Sequence, residues 1–165
     1  MLEIPPPQNR LSRLIALIQA CGSSVHDLSR VQLAPGKPRC PRFNMPFEAG
    51  LAVAWAHMPH VQHRWFVFES VNYRLQKSLS DLNGIDPFIH SGTVEGICSA
   101  LTRAFFREDV TADDLVKKYR KLRPLAENLK RKGHTKHLFD VAGFRGLVLA
   151  SQRIALIDRD IATRT

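Results

Sequence analysis

The spacing of apolar residues predicts alternating helices and strands along the chain. Residues 8–20 place Leu11, Leu14, Ile15 and Ile18 on one helical face, and Gly22 stops that helix. Ser23 to Ser29 reads as a short strand running into a loop. Residues 31–42 contain Pro35, Gly36, Pro38 and Pro41, so an irregular connection is expected, long enough to cover a site. A helix then starts near Asn44 and ends near Pro59. In it Phe47, Leu51, Ala54, Trp55 and Met58 recur at helical spacing and are expected to face a core.

Arg64-Trp65-Phe66-Val67-Phe68-Glu69 is the clearest strand, almost wholly aromatic and β-branched, as in a strand covered on both faces. A short helix over 71–79, a loop over 80–87 with an Asn83-Gly84 turn, and a short strand over 88–90 follow. Thr93 can cap a helix reaching residue 107, with Ile97, Leu101 and Phe105 on its core side. Residues 111–132 predict a long basic helix, interrupted or kinked at Pro124, and 139–157 a last helix. Met1 to Ile4 is expected to end a strand, with Pro5-Pro6-Pro7 stopping regular pairing.

The alternation predicts an α/β fold with three layers, a parallel sheet of Rossmann or flavodoxin type between helices. Two parts are expected, an α/β core over 1–109 and a basic helical segment over 110–165 packed on it.

Composition sharpens this in three ways. With 165 residues, a single sizeable core is expected. No apolar run approaches a membrane span and no signal peptide opens the chain, so no membrane partner and a cytoplasmic location are expected. Cys21, Cys40 and Cys98 lack metal spacing and read as reduced thiols; no metal site is expected.

The net charge of +9 is uneven. Residues 1–110 carry 11 cations and 9 acids, and residues 111–165 carry 13 and 6. The basic surplus therefore lies in the last third, either as a solvated helical face or as a surface for nucleic acid.

Candidate chemistry gathers where a parallel sheet binds ligands, beyond the carboxyl ends of its strands. Glu48 opens the helix after the first strand, beside Gly50, whose missing side chain lets a ligand or a neighbouring backbone approach. Asn44 is the expected cap and Pro46 suits the first turn. The dipole of that turn favours an ionised Glu48, which either stabilises the helix start or serves chemistry at a sugar carbon. His26 and Asp27 end the first strand, and Glu69 and Ser70 the second.

His26-Asp27-Leu28-Ser29-Arg30, followed by Pro41-Arg42-Phe43-Asn44-Met45-Pro46-Phe47-Glu48-Ala49-Gly50-Leu51, resembles an uncharacterised bacterial family with a TIR-like, nucleotide-binding fold. Ser80 to Asp86 and His90 also fit its recurring pattern, and the resemblance covers roughly residues 2–106. The Glu48-x-Gly50 helix start is similar to that of nucleoside 2-deoxyribosyltransferases and, more distantly, of TIR-domain NAD hydrolases. The resemblance implies that Glu48 acts at the ribose carbon of an N-glycosidic bond and that Asp27 handles the base. Asp27 would orient or protonate the leaving base, and protonation needs its pKa raised by burial.

NAD or a nucleotide is then the substrate or ligand, with no other cofactor required. His26 contacts a phosphate or hydroxyl, or is satisfied by nearby backbone. Ser29 adds a ligand-binding hydroxyl. Arg30 and Arg42 hold phosphates or lie on the surface. Asp81 reads as a turn former with a possible ligand role, and His90 faces the rim or simply ends a strand. Relatives usually begin with a strand and a Cys-Pro-Phe-type loop; this chain starts after that unit. The strand so missing is expected to be central in the sheet: either the start is mis-assigned, or the chain is a degenerate member, or a partner protein or a second copy supplies the element. Two functions remain open: an N-glycosidase or ribosyltransferase using Glu48, and a non-catalytic nucleotide-sensing or nucleic-acid-binding module in a defence or regulatory setting.

Overall fold

The computed structural model describes residues 9–31, 33, 37, 39–131 and 141–162, with side chains of the last segment described for 143–156. The expected strand at Met1 to Ile4 and the proline run lie outside the described residues. The chain divides into two compact units, Met1–Arg107 and Glu108–Thr165.

The first unit is an α/β domain. In order it contains α1 (Arg10–Ala20), β1 (Ser23–Asp27), α2 (Asn44–Ala56), β2 (Arg64–Glu69), α3 (Arg74–Ser78), a 3-10 turn (Ser80–Leu82), β3 (Phe88–Ile89) and α4 (Val94–Phe105). The strands form a parallel sheet in the order β1-β2-β3. Ser23 pairs with Arg64 and Asp27 with Phe68; Glu69 pairs with Ile89. Both crossovers step the same way across the sheet. Right-handed connections therefore put α2 and α3 on one face.

Packing agrees. Leu28, Val67 and Leu75 form a buried cluster on that face, with Met45 and Trp65 against it. On the other face Phe68 packs with Ala100 and Ala104 of α4, and with Val25, Phe66 and Phe88. The aromatic run that marks β2 thus splits by alternation, Trp65 and Val67 to one side and Phe66 and Phe68 to the other. β1 pairs directly with β2 and β2 with β3, so no further strand is inserted among these three.

α2 corrects an expectation. Its buried residues are Ala49 and Ala52, whereas Phe47 and Met58 are each 54 % exposed. The helix is apolar nearly all round, so periodicity could not choose a face. Small side chains won because they let the helix lie close to the sheet. The larger ones, Leu51 and Trp55, together with Met58 just past the helix end, line an apolar groove with Ile15 and Ile18 of α1. In α4 likewise Ala100 and Ala104 are buried and Ile97 is exposed.

The second unit contains α5 (Ala112–Arg131) and α6 (Val141–Ala162), which pack on each other. α5 runs unbroken through Pro124. Among the described residues, no helix is long and apolar enough to cross a membrane.

Candidate functional site

Three side chains meet at the carboxyl edge of the sheet. Asp27 is the last residue of β1, Ser29 follows in the next turn, and His90 immediately follows β3. Asp27, Ser29 and His90 occupy one face because Asp27, Phe68 and Phe88 share a register row and each strand alternates. Ser29 Oγ donates to Asp27 Oδ1 at 2.5 Å, and the Ser29 backbone N–H donates to the same oxygen at 2.9 Å. His90 Nε2 lies 2.9 Å from Ser29 Oγ and 3.5 Å from Asp27 Oδ1. Gly92 N–H donates to His90 Nδ1 at 3.1 Å, which makes that nitrogen an acceptor and puts the imidazole proton on Nε2. The protons therefore run from His90 to Ser29 to Asp27. A Ser-His-Asp nucleophile relay needs the opposite order, with histidine taking the serine proton.

Burial would push the Asp27 carboxyl up. The hydrogen bonds from Ser29, with nearby His90, outweigh it and hold the carboxyl below its ordinary value. Asp27 is thus an ionised acceptor, not the proton donor that a raised pKa would make it. Its side chain is 49 % exposed, while that of His90 is 3 % exposed. All these donors go to Oδ1, which leaves Oδ2 as an acceptor for a ligand.

A buried ion pair supports this corner, and sequence reasoning missed it. Glu69 ends β2 at 1 % exposure. Arg74 clamps it with two bonds, Nε to Oε2 at 2.9 Å and Nη2 to Oε1. The Ser70 and Val71 N–H groups also donate to Glu69 Oε1. Arg74 Nη2 then reaches the Ser29 carbonyl oxygen at 2.7 Å, which ties the turn after β1 to the end of β2. The signal was a lone carboxylate closing an apolar strand, with an arginine five residues on.

The loops here are conformationally demanding. Tyr73 and Ser91 have φ of 62° and 54°, left-handed values that cost a non-glycine residue energy. Thr93 caps α4 as expected, its Oγ1 accepting the Gly96 N–H at 3.0 Å. A Cβ at Gly96 would fall 2.0 Å from the His90 carbonyl oxygen, so only glycine lets α4 start this close to β3.

The other candidates are placed differently. Glu48 is partly buried and is the fifth residue of α2, past the first turn where it was expected. Among the described residues, no hydrogen bond or ion pair reaches it. Asn44 is the first helical residue, not the cap; Phe43 occupies that position and no side chain caps the helix. Gly50 is exposed with nothing within 4 Å of where a Cβ would stand, so no neighbouring backbone approaches it and the space is open. Arg30, Arg42 and Asp81 are exposed, and Asp81 lies in the 3-10 turn. The connection over 31–42 carries an isolated antiparallel bridge between Leu33 and Pro41, and several of its residues lie outside the described ones.

His26 points away from Asp27, as the next residue in a strand must. It is 4 % exposed and joins a second polar group with Ser24 and His63. His63 Nδ1 donates to the Cys21 carbonyl at 2.8 Å, so its Nε2 accepts the Ser24 hydroxyl proton at 2.9 Å. His26 Nε2 then donates to Ser24 Oγ at 2.8 Å, and His26 Nδ1 is left buried without a partner. Burial, followed by the neighbouring His63, lowers the His26 pKa to about 4. His26 therefore contacts neither the rim cluster nor, through its ring nitrogens, the backbone.

Cys21, Cys40 and Cys98 are free thiols, and burial, with Glu95 nearby, pushes Cys98 up, away from nucleophilic use. Among the described residues, no group of three or more His, Cys, Asp or Glu side chains is arranged to hold a metal ion. No protein-family model, no curated protein and no solved structure matches the chain.

Proposed function

We propose that the rim formed by Asp27, Ser29 and His90 binds a nucleotide, and that Glu48 acts on the N-glycosidic bond of NAD or a nucleoside. The observation that carries this reading is Asp27. It is ionised, held by Ser29 and His90, and half exposed at the end of a parallel strand. A carboxylate so placed accepts hydrogen bonds from ribose hydroxyls. The TIR-like resemblance of the segment around Glu48 points to the same ligand class.

The ionised state of Asp27 also selects among substrates. A neutral nucleoside needs a proton on its departing base. The pyridinium ring of NAD does not, because it takes the electron pair of the broken C–N bond and leaves as neutral nicotinamide. Glu48 would stabilise the oxocarbenium-like ribosyl cation; water then adds to the carbon and releases a proton to solvent. NAD therefore fits this chain better than a purine or pyrimidine nucleoside.

A non-catalytic nucleotide-binding module is the second reading. It is favoured by the absence, among the described residues, of any hydrogen bond or ion pair that fixes Glu48. Incubation of the purified chain with NAD separates the two. Nicotinamide release that Glu48→Gln abolishes supports catalysis. Thermal stabilisation by NAD without release supports the module. Neither effect at millimolar NAD would remove this nucleotide from consideration.

A further inference from the structure

α5 carries seven cations and three acids, and its helical spacing sorts them. Leu115, Leu122, Ala126 and Leu129 fall on one side. That side packs against α6, where a Cβ at Gly146 would come within 3.1 Å of Leu129 Cδ1. Lys117, Arg120, Lys121 and Arg131 fall on the opposite side and are exposed, whereas Lys118, also exposed, flanks the apolar side. From Lys117 to Arg131 this row spans about 21 Å at the helical rise.

Of the three acids, Asp113 falls on the same side one turn before Lys117 and so bounds the row at its start without entering it. Asp114 is occupied at the helix start, accepting from the Thr111 N–H and hydroxyl at 3.1 and 2.6 Å. Glu127 pairs with Arg123 at 3.0 Å. Between Asp114 and Glu127 no carboxylate occurs.

We infer that this face of α5 binds the phosphate backbone of a nucleic acid. A row of cations on a straight scaffold complements a regular row of phosphates and reads no bases. A basic helix that enters a lipid surface needs its apolar side for the acyl boundary, and α6 covers that side here. An acidic peptide would need a pocket to define its side chains, and the row consists of long flexible cations.

The inference is independent of the rim and is tested on the full chain. Binding to a fluorescent duplex of arbitrary sequence, about two helical turns long, is followed by anisotropy at increasing salt. The logarithm of affinity is expected to fall linearly with the logarithm of salt, with a slope of about −3 to −4 for roughly four neutralised phosphates. The triple variant Lys117→Gln, Lys121→Gln, Arg131→Gln is expected to bind at least tenfold more weakly at low salt, with a slope reduced by about two to three. Its thermal unfolding should match that of the parent. No binding at low salt, equal affinity and slope in the variant, or tighter binding to phosphatidylserine vesicles than to the duplex would each overturn the assignment.

Discussion

His90 Nε2 and Ser29 Oγ, 61 residues apart in sequence, lie 2.9 Å apart across the carboxyl edge of the sheet. This bond joins the ends of β1 and β3 over β2, and it sets the direction in which Ser29 presents its proton to Asp27. Ser29→Ala removes the hydroxyl from both partners. It should raise the Asp27 pKa, since the hydroxyl is a main cause of the lowering. It should cost about 1–3 kcal/mol by leaving the buried His90 donor poorly satisfied. Carboxyl chemical shifts across a pH titration, with urea unfolding, check both; an unmoved Asp27 would show that the hydroxyl does not hold it.

Arg74→Met should be among the most damaging single changes in the first unit. It strips a buried Glu69 of its cation and releases the Ser29 carbonyl at once. Breaking one side of a buried pair typically costs about 3–5 kcal/mol, and the quarter exposure of Arg74 places the expected loss towards the lower end. Denaturant unfolding measures it. A loss within experimental error of zero would mean that water replaces the clamp.

Acid should weaken the fold through His26. Its folded pKa of about 4 lies below the ordinary 6.5, so the unfolded chain binds the proton more tightly. The stabilisation is therefore complete above pH 6.5 and is lost as pH falls towards 4. A shift of this size corresponds to on the order of 3 kcal/mol. Comparing the pH dependence of unfolding for the parent and His26→Gln isolates it. Parallel curves would contradict a buried neutral His26.

Two glycines should respond in opposite ways. Gly96→Ala drives a methyl group into the His90 carbonyl and should destabilise by several kcal/mol, as overpacked sites with no room to relax do. Gly50→Ala meets open space in a helix and should stabilise by about 1 kcal/mol. Thermal unfolding distinguishes them. If NAD occupies the gap beside Glu48, the Gly50 variant should also bind it more weakly.

Much of this was legible in the residues, for reasons that vary along the chain. β2 announced itself because four consecutive aromatic and β-branched residues, Trp65 to Phe68, stand between the charged Arg64 and Glu69. Thr93 did so because a hydroxyl before an apolar period has one common use. The buried face of α2 stayed hidden, since apolar residues surround the helix and the choice fell to Ala49 and Ala52 through their size. The Ser24–His26–His63 group could not be read at all. Ser24 and His63 lie 39 positions apart, and only the register Ser23 to Arg64 brings them together. The position of Asp27 at the end of β1 could be read, but its protonation could not, because that depends on which neighbours donate to it.

Ala49 and Ala52, at 1 % and 0 % exposure, act as a two-methyl shim between α2 and the strands beneath it. Glu48 is joined directly to one of them. A valine at either position would lift the helix by about a methyl group's width and carry the carboxylate with it. The activity proposed for Glu48 would then fail through misalignment, with every group of that proposal still present.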